Sequence, residues 1–507
     1  MEQTNMPQYP LSYWLDNDSS PSFPRLQEDI EVDVGIVGGG ITGITTAYML
    51  SQQGLNVALI DAGKLLHQTT GHTTAKVTAQ HGMIYNKLIE NFSKSDALLY
   101  YEANVEGKEI IEKLIKKYDI QCDYTEENAY LYTNSDDYIQ KIKKEQKAYE
   151  QLGITHEELE DLPLNIPIKL ALKLQNQAQF HPIKYLQALI EQCKKAKVQM
   201  YEHTTAIDVE QRTDPAILTK NNNRIQCKYV VSASHYPFYD GQGFYPTRMY
   251  ASRSYVIAVK SEQNYPGGMY INVEKPTRSI RSTNFQNEDL WLISGEDHKT
   301  GQGKSTIKHY EALQSFAKST FSIQNYLYRW SAQDLVTIDK VPYIGQLTKT
   351  NERIFVATGF RKWGMTTGTI AAKIITDTIT NKNNRYLQLF QPTRFHAKQT
   401  LTNFMKTNAD VAKHLLKGKL TYTKSAEQLK HDEAAIIRIN GKRTGVYVDT
   451  EGKIYAVDTT CTHLGCEVEW NSAERSWDCP CHGSRFNYSG EVINGPAKEA
   501  LKRIKYE

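Results

Sequence analysis

The run EVDVGIVGGGITGITTAYMLSQQGLNVALIDAG, residues 31–63, constrains the fold more than any other part of the 507-residue chain. Asp33 to Val37 reads as a buried strand, Gly38-x-Gly40-x-x-Gly43 as a turn, Ile41 to Gln53 as a helix and Asn56 to Ile60 as a second strand. Asp61 ends that strand 18 residues after Gly43, near the offset at which an acid hydrogen-bonds the adenosine ribose in a Rossmann unit. The glycines let the backbone approach a pyrophosphate, whose charge the helix N-terminus stabilises. GxGxxG by itself also occurs as a purely structural turn. The strand before it, the helix after it and the acid in position favour a dinucleotide site.

A second constraint lies near the other end. CTHLGCEVEWNSAERSWDCPCHGSRF, residues 461–486, holds four of the seven cysteines. Clustered cysteines serve a disulfide framework, a zinc site or an iron-sulfur cluster. Here Cys461-x-His463 and Cys479-x-x-His482 each offer one thiolate and one imidazole. That split suits a Rieske-type [2Fe-2S] cluster, in which two cysteines hold one iron and two histidines the other. Zinc would accept the same four donors, although its signatures usually keep each cysteine pair together.

A cluster moves single electrons, so the rest of the chain must supply them. One dinucleotide fingerprint is present, and the nearest imitation, GQGKST at 301–306, follows a polar run and reads as a loop. A single site points to FAD, because a flavin exchanges two electrons with organic substrates and one at a time with iron-sulfur centres, whereas NAD cannot feed a cluster directly. The formal net charge of +3 is too mild to argue for nucleic acid. No apolar run reaches membrane-spanning length and the amino terminus lacks a signal pattern, so a cytoplasmic protein without an integral membrane segment is expected. Cys122, Cys193 and Cys227 have no ligand spacing and read as small packed apolar residues.

Residues 461–486 closely resemble the Rieske proteins of cytochrome bc complexes, with their C-T-H-L-G-C and C-P-C-H-G-S patterns, and the resemblance covers about the last 85 residues. It implies that Cys461, His463, Cys479 and His482 are ligands and that Cys466 and Cys481 form a disulfide clamping the two loops. It also makes Ser484 a hydrogen-bond donor to the cluster and Gly495-Pro496-Ala497 the downstream proline segment. Phe486 departs from the pattern, which usually has tyrosine there; losing a donor to sulfur lowers the potential of the centre. The ligand loops are expected to leave both histidines near the surface.

The chain up to about 385 resembles the D-amino acid oxidase and glycine oxidase superfamily of FAD enzymes in four pieces. Besides the fingerprint these are FHPIKYLQALIEQCKKAKVQMYEHTTAIDVE, QCKYVVSASHYPF, and RWSAQDLVTIDKVPYIGQL with RIFVATGFRKWGMTTGTIAAKIITDTI. Ser234 stands where the family usually has a glycine. In the last piece a strand, Ile354 to Ala357, reaches Gly359, and Gly364 opens a helix suited to the negative charge of a reduced flavin. The loop HQTTGHTTAKVTAQHG, residues 67–82, resembles the family's flavin-contacting loop. In the dimethylglycine dehydrogenase branch a histidine there is tied covalently to the flavin, and His72, followed by Thr73, falls at about that point. A plain backbone-cradling loop accounts for the stretch as well.

The expected architecture is an α/β Rossmann-like FAD-binding domain with an inserted antiparallel-sheet substrate domain, followed by a small all-β Rieske domain. The FAD-binding pieces are placed at about 30–95, 180–240 and 331–385, and the substrate regions at about 96–179 and 241–330. A linker spans 386–424, basic and weakly helical, and the Rieske domain 425–507, with hairpins around Asn440-Gly441 and Glu451-Gly452. In the resembled family the sheet roofs a pocket for an amine or amino acid. Arg253, Tyr255, Arg281 and Trp330 are candidate lining residues, although such residues on a sheet are more often core or surface. The expected activity is a dehydrogenase that oxidises a small amine or amino acid with FAD and passes electrons through the Rieske centre to an external acceptor, with no catalytic base assigned. The alternatives are an electron-transfer protein serving a partner, or an oxygen-using amine oxidase with a sensing cluster.

Overall fold

Strand Ile30–Val37 is apolar and buried from Val34 to Val37, where it runs through the middle of a parallel sheet covered on both faces. The computed structural model describes residues 6–16, 18–303, 305–394, 397–417, 429–439 and 441–505. Across this sheet the order is Tyr343–Gln346, Ile354–Thr358, Arg224–Ser232, Ile30–Val37, Val57–Ile60 and Gln199–Tyr201. All neighbours are parallel except the first pair. Helix Ile41–Ser51 packs against helices Pro182–Lys195 and Gly364–Ile379. The carboxyl ends of the central strands therefore face the two helix N-termini at Ile41 and Gly364, the place where open α/β sheets bind ligands.

The second sheet has nine strands drawn from distant parts of the chain. Strands Ile323–Thr337, Met249–Ser261, Glu288–Lys299, Arg278–Phe285 and Met269–Asn272 form an antiparallel series. Met269–Asn272 then pairs in parallel with Thr125–Thr133, which joins Leu170–Gln179. The two stretches expected to carry the substrate region thus form one continuous sheet. Helix Lys94–Tyr118, by contrast, packs on helix Gly364–Ile379, and a Cβ on Gly107 would lie 2.5 Å from the Thr366 carbonyl oxygen.

The carboxyl-terminal unit consists of two small antiparallel sheets. The first contains Glu433–Ile439, Lys442–Val448 and Ile454–Asp458; the second contains Glu469–Asn471, Ser476–Asp478, Arg485–Asn487 and Val492–Asn494. The two cysteine-histidine loops project from them. Helix Ala397–Lys417 lies within the expected linker, and its Asp410 Oδ2 meets Lys299 Nζ at 2.6 Å. Residues 395–396 and 418–424 of the expected linker, 425–428 at the start of the expected Rieske domain and Asn440 of an expected hairpin lie outside the described residues. No described helix is long and apolar enough to cross a membrane.

Candidate cofactor and substrate site

A cavity of about 1380 Å³ opens where the two sheets meet, larger than a drug-sized ligand requires. Gly38, Gly40, Ile41, Thr42 and Asp61 form part of its wall. Helix Ile41–Ser51 starts from Gly40 with no side-chain cap, and helix Gly364–Ile379 also starts uncapped beside the cavity. Each presents a partial positive charge, although the first N–H of the former, that of Ile41, donates to Thr70 Oγ1 at 3.1 Å. Asp61 accepts from the Gly39 N–H at 2.7 Å and the Gly63 N–H at 2.8 Å, which fixes its carboxylate at the end of the strand. Gly43 and Gly359 stand behind the wall. A Cβ on Gly43 would lie 1.8 Å from the Gly38 carbonyl oxygen, so this glycine serves the close approach of helix to turn.

The loop at 67–82 reaches the same cavity through His72, Thr73, Lys76 and His81. His72 Nδ1 donates to the Gln68 carbonyl at 2.8 Å, and burial depresses its pKa, so the ring is neutral with Nε2 as its basic nitrogen. The loop backbone is clamped from outside. Trp330 Nε1 donates to the His72 carbonyl at 2.9 Å, Trp14 Nε1 to that of Thr73 at 2.6 Å, and Arg281 Nη1 to those of Thr74 and Ala75, both at 2.9 Å. His81 stacks on Trp363 with ring centroids 4.7 Å apart, and burial drives its pKa down to about 3.

In the carboxyl-terminal loops, Cys461, Cys479 and His482 are buried and His463 is half-buried. Short backbone hydrogen bonds fold each loop tightly: Cys461 N–H to Cys466 carbonyl at 2.7 Å, and Cys479 N–H to Ser484 carbonyl at 2.8 Å. The histidine rings are perpendicular with centroids 5.0 Å apart. Both Nδ1 atoms are buried without a hydrogen-bond partner, and burial lowers both imidazoles to about 4, leaving neutral rings with lone pairs free for a metal. Cys466 and Cys481 are joined in a disulfide with Cα atoms 6.5 Å apart, whereas Cys461 and Cys479 are free. Sγ atoms of Cys466, Cys479 and Cys481 lie within 4.8 Å of one another, but the disulfide removes two of these as thiolates. The donor set on offer is two free cysteines and two neutral imidazoles, which fits a [2Fe-2S] cluster with two irons of unlike ligation.

The second cysteine-histidine loop is docked on the larger unit. Gln333 Nε2 donates to the Gly483 carbonyl at 2.8 Å, and a Cβ on Gly483 would lie 2.3 Å from Ala251 Cβ. Asp478, directly before Cys479, faces the fully buried Arg253 at 3.7 Å and accepts from Arg485 Nε at 3.1 Å and Asn471 Nδ2 at 2.8 Å. Burial pushes the Asp478 carboxyl up, but Arg485 and Arg253 outweigh it and hold the group below the usual carboxylate range. Residues Glu491 to Lys498, including Gly495-Pro496-Ala497, line the same cavity as the glycine turn. Tyr236 lines it too, and its ring stands edge-on to His463 with centroids 6.4 Å apart.

The profile described as DAO, FAD dependent oxidoreductase, matches residues 33–378, and that of the Rieske [2Fe-2S] domain matches residues 420–505. The Bacillus subtilis (strain 168) protein YhfW, named for a Rieske 2Fe-2S iron-sulfur centre, is 49% identical over 98% of this chain and 97% of its own length. The chain belongs to the DAO family of FAD-dependent oxidoreductases and carries a Rieske [2Fe-2S] domain. Its cofactors are FAD and a [2Fe-2S] cluster. Among further similar proteins, Escherichia coli (strain K12) gamma-glutamylputrescine oxidoreductase is 21% identical over 72% of this chain and 87% of its own. The crystal structure of glycine oxidase from Geobacillus kaustophilus covers 73% of this chain and 100% of its own, with TM-score 0.61 and 17% identity, and so shares the fold.

In this FAD-dependent oxidoreductase the structure brings Gly38, Gly40, Asp61, His72, Thr73 and Gly364 to one cavity and places Gly43 and Gly359 behind it. The expectation that both cluster histidines sit near the surface is corrected: His482 is 6% exposed, because its loop is pressed onto strands Met249–Ser261 and Ile323–Thr337. Arg253, Tyr255, Arg281 and Trp330 are at most 1% exposed and do not line the cavity. Two of them clamp the 67–82 loop and one grips the Rieske domain. Tyr250, Lys340 and Arg361 also line the cavity and were not among the residues expected from sequence. The FRKWG stretch between Gly359 and Gly364 was the signal for Arg361; nothing in the pattern distinguishes the other two.

Proposed function

We propose that this oxidoreductase is a dehydrogenase that oxidises the C–N or adjacent C–H bond of a small amine or amino acid and hands the electrons singly to an external acceptor. The observation that carries the reading is the docking of the Rieske ligand loop, with its proline segment, against the module that forms the FAD cavity. When bound, FAD accepts two electrons from an organic substrate and a Rieske cluster passes one at a time. Cys461, His463, Cys479 and His482 are assigned as cluster ligands, the histidines through the two partnerless Nδ1 atoms. Gly38, Gly40, Asp61, His72, Thr73 and Gly364 are assigned to FAD contact, with Gly43 and Gly359 shaping the turns behind them. The helix ends at Ile41 and Gly364 supply positive dipole ends for the anionic parts of the cofactor.

No side chain is assigned as a general base. His81 has both ring nitrogens engaged, Nδ1 with Tyr100 Oη and Nε2 with the Thr78 carbonyl, each at 2.8 Å. Its neutral, stacked ring shapes the cavity wall instead. The similarity to glycine oxidase and gamma-glutamylputrescine oxidoreductase supports an amine or amino-acid substrate.

An anaerobic panel of amines and amino acids tests the reading. One member is expected to bleach the flavin band, with a Rieske electron paramagnetic resonance signal rising after it. Peroxide released in step with turnover under air, with the cluster remaining oxidised, would contradict it.

A further inference from the structure

Four mutually interacting cations from four separate segments line the cavity: Lys87 on helix Tyr85–Asn91, Lys275 after strand Met269–Asn272, Lys340 after strand Ile323–Thr337, and Arg361 after Gly359. They feel one another. Partial desolvation, then Arg361 and Lys340, lower the Lys87 ammonium pKa; Glu145 opposes them, and Lys275 lowers it further. Burial and then Arg361 bring Lys340 to about 8. Among the described residues none of the four has a carboxylate partner within 4.0 Å. Lys340 Nζ donates to Tyr250 Oη at 2.8 Å and Arg361 Nη2 to the His81 carbonyl at 3.0 Å, both neutral acceptors.

The carboxylates on the same wall have their closest partners elsewhere, although Glu145 still favours the Lys87 cation. Glu145 accepts from the Tyr85 and Asn86 N–H groups at 2.8 and 3.0 Å, and burial raises it to about 7. Asp334 accepts from the Leu335 and Lys362 N–H groups. Asp297 lies 3.8 Å from Lys362, and Glu90 accepts from Asn86. A cofactor pyrophosphate has its own donors at the glycine turn. Like charges converging on a cavity repel one another unless an anion enters, and they also steer anions toward the opening.

We infer that the substrate is itself anionic: an amine or amino acid bearing more than one acidic group, received by Lys87, Lys275, Lys340 and Arg361. This rests on the amine-oxidising reading and narrows its substrate class.

The test titrates the holoprotein with tricarballylate, which has three carboxylates and no oxidisable amine, and with butyrate, following the visible flavin band and the thermal unfolding temperature. Tricarballylate is expected to bind tighter than butyrate by about ten-fold or more, and to lose at least about ten-fold in the Lys340→Gln/Arg361→Gln double variant with FAD and cluster content retained. Should that variant not fold, the exposed pair Lys87→Gln/Lys275→Gln is expected to show the same direction. Equal affinity for both probes, or unchanged tricarballylate binding in a folded variant, overturns the inference. Anaerobic flavin reduction by an uncharged or cationic amine alone overturns it while sparing the amine-oxidising reading. Tight tricarballylate binding with no amine reducing the flavin does the reverse.

Discussion

Phe486 puts a phenyl ring where the Rieske proteins it resembles usually place a tyrosine, and it is fully buried in the cluster of side chains that includes Cys461, Cys466, Cys479 and Cys481. Donors to cluster sulfur stabilise the reduced state. Phe486→Tyr is therefore expected to raise the midpoint potential in a redox titration; an unmoved midpoint would show that position 486 does not tune the centre. Arg253 works from the other side of the interface. Its guanidinium, held by Ser331 Oγ at 2.6 Å, completes the charge balance around Asp478. Arg253→Met leaves Asp478 with Arg485 as its remaining cationic partner, and is expected to cost about 2 to 3 kcal/mol in denaturant unfolding followed at the cluster band. The Rieske ligands and the fingerprint glycines were legible in the sequence because their chemistry demands those residue types at that spacing. Arg253 and Arg281 were not, because an arginine on an alternating strand carries no mark of which neighbour it will be buried against.

At the scale of elements, the strand, turn, helix and strand of the fingerprint fell close to their expected bounds, since local periodicity and glycine chemistry decide them. The nine-stranded sheet was legible only in part. The parallel pairing of Met269–Asn272 with Thr125–Thr133 joins residues far apart in the chain, and helix Ile307–Thr320 interrupts a region that reads as sheet. Docking of the Cys479–His482 loop had no local signature at all. It is testable without touching a ligand: Ala251→Val adds methyl groups toward Gly483, which already approaches Ala251 closely. This variant is expected to keep the cluster's spectrum and midpoint while slowing electron arrival at the cluster. An unchanged rate would mean that the contact does not set the coupling.

Across the whole molecule, two modules that fold around separate cores share one cavity wall, to which both the Rieske proline segment and the glycine turn contribute. Purified protein is expected to contain two irons per FAD, with acid-labile sulfide and no stoichiometric zinc, by elemental analysis. The central claim is that electrons pass from flavin to cluster within one chain. Flash reduction of the flavin in anaerobic holoprotein, followed at the cluster band over a range of protein concentrations, tests it directly. The account predicts a first-order phase of cluster reduction whose rate is independent of concentration; a rate rising in proportion to concentration, or a cluster that stays oxidised, would contradict it.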